Sequence, residues 1–309
     1  MPPSSDFGLW IAFAAAATAI LIFDFFVLAR RPGRLSGARA LVMVAIYACI
    51  ALAFGGLLFL ARGRDSGMEY LTGYLLELSL SFDNIFIWIL VLKNLSVPDD
   101  DQETVLFWGI LGALVFRAIF IFGGAALLNL FDWMLYVFGA AVIVSGIRLL
   151  RSGTPQDVEN SRIMRFAKAH LPVTEDYRGR KFVIRKGSVR CATPLLLALV
   201  VIELSDIFFA MDSLPAIFGV TRDTLVIYSS NMFAVIGLRA LYFAVAGLME
   251  RLRYLHLGLA VLLVMIGAKM IAGDLVEIQI WVTLAATLAI VTATVGLSLA
   301  WSRPRRAGV

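Results

Sequence analysis

The sequence predicts an all-α, polytopic membrane protein of about nine transmembrane helices, with two inverted three-helix repeats at its centre. Three observations predict it: a composition too apolar for water, nine apolar runs of spanning length, and a related pair of acidic segments inside two of those runs. Of the 309 residues, 61% are hydrophobic and 16% charged, with a mean hydropathy of +0.88. That leaves too little polar surface to cover a soluble globule of this size, so the bilayer is the expected solvent.

A spanning helix takes roughly 20 mainly apolar residues. Such runs lie near 8–29, 39–61, 69–92, 105–129, 131–150, 193–219, 225–248, 255–273 and 277–300. No basic segment precedes the first run, and Arg30 and Arg31 follow it, so it reads as a helix of the mature protein and not as a signal peptide. The pI near 9.4 and net charge of +5 raise the question of nucleic acid, which the distribution of charge answers. Basic residues follow the first, third, fifth, seventh and ninth runs and are densest from Arg148 to Arg190, whereas the opposite side holds Arg62, Arg64 and Arg222. The positive-inside bias then puts the N-terminus outside and the C-terminus inside, with no nucleic-acid partner expected. Cys49 and Cys191 form no CxxC or Cys/His cluster, so neither a disulfide nor a soft-metal site is expected.

One connection is long. Residues 151–192 carry Pro155, Pro172, Gly179 and Gly187 among many Lys and Arg, and divide the chain into two halves. Aligning Asp83-Asn84 with Asp212-Ser213 also sets Glu77 against Asp206, and later Arg117 against Arg239 and Gly146-Ile-Arg148 against Gly267-Ala-Lys269. The organisation read from this is two N-terminal helices (1–68), a first repeat (69–150), a basic cytoplasmic loop (151–192), a second repeat (193–273), and a last helix with its tail (274–309). Three helices per copy make the second copy run inverted, as in secondary transporters whose substrate sites lie at the repeat interface near the midplane.

The first acidic segment, Glu77 to Asn84, lies within the third run, and the second, Glu203 to Pro215, within the sixth. A central carboxylate costs roughly 2.5–3.5 kcal/mol on insertion scales, so Glu77, Asp83, Glu203, Asp206 and Asp212 must be partnered, protonated or facing water. With Asn84 and Ser213 they form a set of hard oxygen donors suited to Mn²⁺, Mg²⁺ or Ca²⁺. On an unbroken helix Glu77 and Asp83 point about 120° apart, so converging on one ion requires a second helix or local unwinding, for which Pro215 and Gly73 are the candidates. The structural alternative is that the acids pair with Arg117 and Arg239, which stand as counter-charges or gates. Asp24 is expected to snorkel or to pair with Arg30. Asp99, Asp100, Asp101 and Glu103 read as a solvated inner connector, and His170 and His256 as no part of a metal triad.

On these segments, and on Asn231-Met-Phe-Ala-Val-Ile-Gly-Leu-Arg239, Tyr254-Leu-His-Leu-Gly-Leu-Ala and Gly267-Ala-Lys269, the chain resembles the tellurium-resistance TerC family over roughly residues 8–300. That family includes the Alx proteins and is related to the lysine-exporter superfamily. The resemblance implies a multi-span bacterial inner-membrane protein, with Mn²⁺ efflux the activity best associated with the family's Alx-type members. It carries the acids Glu77, Asp83, Glu203, Asp206 and Asp212, with Asn84 and Ser213, over as the site. His256 stands where many relatives are expected to have a different polar or basic residue. Tellurite itself is an anion that a carboxylate-lined cavity repels.

The leading expectation is therefore a Mn²⁺ exporter exchanging with protons, in which the metal is cargo and no cofactor is needed. The alternative from another class is a membrane scaffold or assembly factor supporting metalation or stress resistance, with a protein partner docking at 151–192. An enzyme is not expected, since no nucleophile–base pair or HExxH is present. Sequence leaves open the choice among Mn²⁺, Mg²⁺ and Ca²⁺, and the oligomeric state.

Overall fold

A computed structural model describes residues 3–30, 37–131, 133–152, 164–166, 174, 177, 179–186, 189–246, 254–272 and 278–301. Among them the helices are α1 (Pro3–Arg30), α2 (Gly37–Arg62), α3 (Arg64–Asn94), α4 (Asp99–Leu130), α5 (Met134–Ser152), α6 (Pro194–Phe218), α7 (Thr224–Val245), α8 (Leu255–Ala272) and α9 (Ile280–Trp301). Eight are long and apolar enough to cross a membrane, and α8 is the shorter ninth. At 1.5 Å per residue its 18 residues still reach about 27 Å, close to the hydrocarbon thickness of a bilayer. The chain is a multi-pass integral membrane protein.

Local signals set the helix ends. Pro194 opens α6 at a position where its missing N–H costs nothing, and Asp223 caps α7 by accepting from the backbone N–H groups of Leu225 and Val226. Asp99, Asp100 and Asp101 correct the expectation of a solvated connector, for they form the first turn of α4 behind Pro98. There the helix dipole favours negative charge. Asp101 and Glu103 are buried. α6 corrects the expectation of a broken helix, running through Pro215 to Phe218 without interruption. Pro215 lies in the last turn, where one lost backbone bond is tolerated.

α3, α6 and α7 occupy the centre, with α7 the most enclosed. α3 packs against α7 and α4 against α6; α3 also meets α6, α4 meets α7, and α5 lies along α8. The α5–α8 contact runs backbone to backbone. A Cβ placed at Gly146 would lie 2.9 Å from the carbonyl oxygen of Ala260, and one at Gly267 would lie 2.7 Å from that of Gly139. Small residues permit this approach, which is a common way for helices to associate in lipid. The contacts are reciprocal: Gly146 faces Ala260 and Val264, while Gly267, aligned with Gly146, faces Gly139 and Ile143.

Of the connection 151–192, most residues lie outside the described set. Its last part forms an antiparallel hairpin of β1 (Val183–Lys186) and β2 (Val189–Ala192), with Ile184 opposite Cys191. Just before it, the Tyr177 hydroxyl donates to the Leu95 carbonyl, and Arg180 reaches the Asp100 carbonyl at 3.3 Å, so the connection folds over the α3–α4 turn. Burial and the neighbouring Asp101 push the Tyr177 phenol upward, keeping it a donor.

Candidate cation site

The two acidic segments meet where α3 faces α6. Arg117, from α4, lies between them with 1% of its surface exposed. Its Nε donates to Asp206 Oδ2 at 3.2 Å and its Nη2 to Asp206 Oδ1 at 2.9 Å, a fork that fits one carboxylate. Its Nη1 donates to Glu77 Oε1 and, at 3.2 Å, to Asn231 Oδ1 of α7. Asn231 closes the ring by donating from Nδ2 to Glu77 Oε2 at 2.8 Å, and Ser81 adds a bond to Glu77 at 3.2 Å. Asn84 donates to Asp206 Oδ1 at 2.8 Å. One arginine thus satisfies an acid from each segment, which is what burial of such charges requires.

Beside this network is a cavity of about 80 Å³ lined by Asp83, Asn84, Glu77 and Leu80 from α3, Arg117 from α4, Ser145 and Leu149 from α5, Phe209 and Ser213 from α6, and Leu263 from α8. Two buried oxygens of its lining, Asn84 Oδ1 and Ser213 Oγ, have no hydrogen-bond partner among the described residues. A buried polar atom left unpaired is costly, so these oxygens are prepared for a water or an ion. Asn84 and Ser213 are also the aligned positions of the two segments.

Glu203 is placed differently. Its carboxylate lies on the bare backbone of α4, where a Cβ at Gly112 would fall 2.0 Å from Oε1 and 2.4 Å from Cδ. Its Oε2 has no partner among the described residues. The Asp212 side chain lies outside the described residues. Among the described residues no three His, Cys, Asp or Glu side chains form a ready metal cluster. A cation in the cavity would instead be met by Asp83 together with neutral oxygens.

Arg239 does not join this network. Its Nη2 donates at 2.8 Å to Asp24 of α1, which also accepts from the Tyr47 hydroxyl of α2. This corrects the expected Asp24–Arg30 pairing: Asp24 is 2% exposed, too deep to reach water. With Arg239 matched to Asp24 and Arg117 to Glu77 and Asp206, Asp83 has no ion-pair partner among the described residues.

The family model for the integral membrane protein TerC family matches residues 62–307, which include every residue of this site. The chain belongs to the TerC family. A membrane protein of Myxococcus xanthus, STKORF319, is 40% identical over 297 residues, covering 96% of this chain and 93% of that one. The Alx protein of Escherichia coli K12 is 39% identical over 296 residues, 93% of this chain and 92% of its own, and that of Salmonella typhi 38% over the same length. The Alx proteins are provisionally named as membrane-bound redox modulators. No solved structure matches.

Within this TerC-family chain, three contributors escaped sequence reasoning. Asn231 was legible only as part of a motif, although an amide inside an apolar helix is a signal in itself. Ser145 is one hydroxyl in an apolar run. Gly112 gives no sign in sequence that a carboxylate rests on it.

Proposed function

We propose that this protein transports a divalent cation across the bacterial inner membrane, with Mn²⁺ as cargo, export as direction and protons as the exchanged ion. The observation that carries the reading is the cavity in which Asp83, free of any described basic partner, faces the unpaired oxygens of Asn84 and Ser213. An anionic ligand with neutral oxygens suits a hard divalent ion. Glu77 and Asp206, held by Arg117, fix the walls, and Glu203 and Asp212 complete the proposed acidic set. The reciprocal glycine contacts of α5 and α8 support two inverted copies flanking this cavity.

A redox role through an intramolecular disulfide would need the two cysteines to pair, and both are free, Cys49 exposed on α2 and Cys191 on the hairpin. The scaffold alternative would use the basic connection 151–192. The deciding experiment is Mn²⁺ flux into liposomes containing the purified protein. Uptake driven by a proton gradient supports transport, and its absence with correctly inserted protein sinks it. For orientation, reporter fusions after Gly153 and after Val309 should both report the cytoplasm.

A further inference from the structure

Between Tyr136 and Arg148, Ser145 is the one side chain of α5 with a hydrogen-bonding atom. It lines the same cavity as Asp83, Asn84 and Ser213, from a different helix. The adjacent Gly146 accounts for its position. Because a Cβ at 146 would stand 2.9 Å from both the Ala260 carbonyl and Val264 Cγ2, the glycine lets α5 close onto α8. The preceding residue, Ser145, about 100° round the helix, then faces the cavity shared with α3 and α6.

A hard ion such as Mn²⁺ favours octahedral oxygen coordination, so its ligands must approach from several sides. Asp83 and Asn84 come from α3, and Ser213 from α6. On the α5 and α8 sides the other lining residues among those described are Leu149 and Leu263, which offer nothing to an ion. Each protein oxygen that reaches the ion replaces one of its waters, and on the third wall the oxygen available is that of Ser145.

We propose that Ser145 is a further ligand of the cation, supplying a neutral oxygen from α5 and tuning the site toward hard ions. The cargo's identity rests on the transport reading, whereas the presence of a binding site does not. The test uses the full-length protein with Cys49→Ala and Cys191→Ala, into which Ser145→Cys is introduced. A thiolate there recruits soft ions. Cd²⁺ should produce a thiolate-to-metal charge-transfer absorption that excess Mn²⁺ displaces and that Asp83→Asn weakens at least about tenfold in affinity, the scale expected when a metal site loses a supporting group. Val144→Cys, on the 45% exposed neighbour, should give no such band.

A folded Ser145→Cys protein with no band, or with one indifferent to Mn²⁺ and to Asp83→Asn, overturns the proposal. As a second measurement, Ser145→Ala should raise the KM for Mn²⁺ about fivefold with kcat little changed, the size expected for one neutral polar contact. An unchanged KM also overturns it. A displaceable Cd²⁺ band in a protein that moves no Mn²⁺ upholds the Ser145 site and removes the transport reading. Mn²⁺ flux without the band does the reverse.

Discussion

Arg239 of α7 and Asp24 of α1 stand 2.8 Å apart as a buried ion pair, 215 residues apart in sequence. Each is almost wholly removed from solvent. Removing one partner of such a pair strands a charge in a medium that cannot solvate it, at about 3–5 kcal/mol, while removing both is far milder. Asp24→Asn and Arg239→Gln should each lower the thermal unfolding midpoint in detergent markedly. The double variant Asp24→Leu/Arg239→Met should recover most of the loss. Additive losses would show that the two residues act independently.

Arg117 tests whether geometry or charge matters at the centre. Arg117→Lys keeps the charge but cannot fork onto Asp206 while also reaching Glu77 and Asn231. The expected result is protein at normal level in the membrane with Mn²⁺ flux reduced about tenfold or more, the cost of roughly 1.4 kcal/mol in placement of the site. Flux equal to wild type would mean that a point charge suffices.

Asp83→Asn removes the one cavity carboxylate with no described basic partner and should abolish protection of cells loaded with Mn²⁺. Asp212→Asn should do the same. Asp100→Asn, on the exposed first turn of α4, should have little effect. If both core variants still lower internal Mn²⁺, the acids serve as structural locks.

Metal affinity should also follow pH with a definite sign. Carboxylate ligands bind a divalent ion only when deprotonated, so lowering pH releases metal and raising it restores binding. Mn²⁺ binding to the purified protein, followed by calorimetry, should weaken steadily with acidification. The Asp83→Asn variant should lose most of that dependence along with its affinity.

Gly112 offers a test of Glu203 that leaves the acid in place. A methyl group at 112 would collide with the end of a flexible side chain, so the fold should tolerate Gly112→Ala while the Glu203 carboxylate moves. Its flux should match that of Glu203→Gln, and the double variant should be no worse than either. Losses that multiply in the double variant would dissociate Gly112 from Glu203.

The apolar runs were legible because hydropathy over about 20 residues is a property of each segment alone. The meeting of the two acidic segments was legible because their spacing repeats. Asp24 and Arg239 were not, since nothing local to α1 identifies a partner on α7. The acidic turn at Asp99 was misread through its charge, although Pro98 followed by three acids is a helix-start signal. Pro215 was expected to break α6, but its cost depends on how close the helix end lies, and α6 ends at Phe218. Ser145 depends on packing, because only the closure of α5 onto α8 turns it toward the cavity.

That closure has a mechanical consequence. Where long side chains meet, a rotamer change can absorb a relative movement, whereas a helix backbone seated against its neighbour's carbonyls and side-chain stems has no such freedom. With the bare Gly146 and Gly267 pressed against opposing carbonyls, α5 and α8 behave as one beam. The wall bearing Ser145 is carried on that beam. In the proposed transport cycle, the play needed to admit an ion from one face and release it to the other therefore falls to α3 and α6, where the Arg117 bonds can be exchanged.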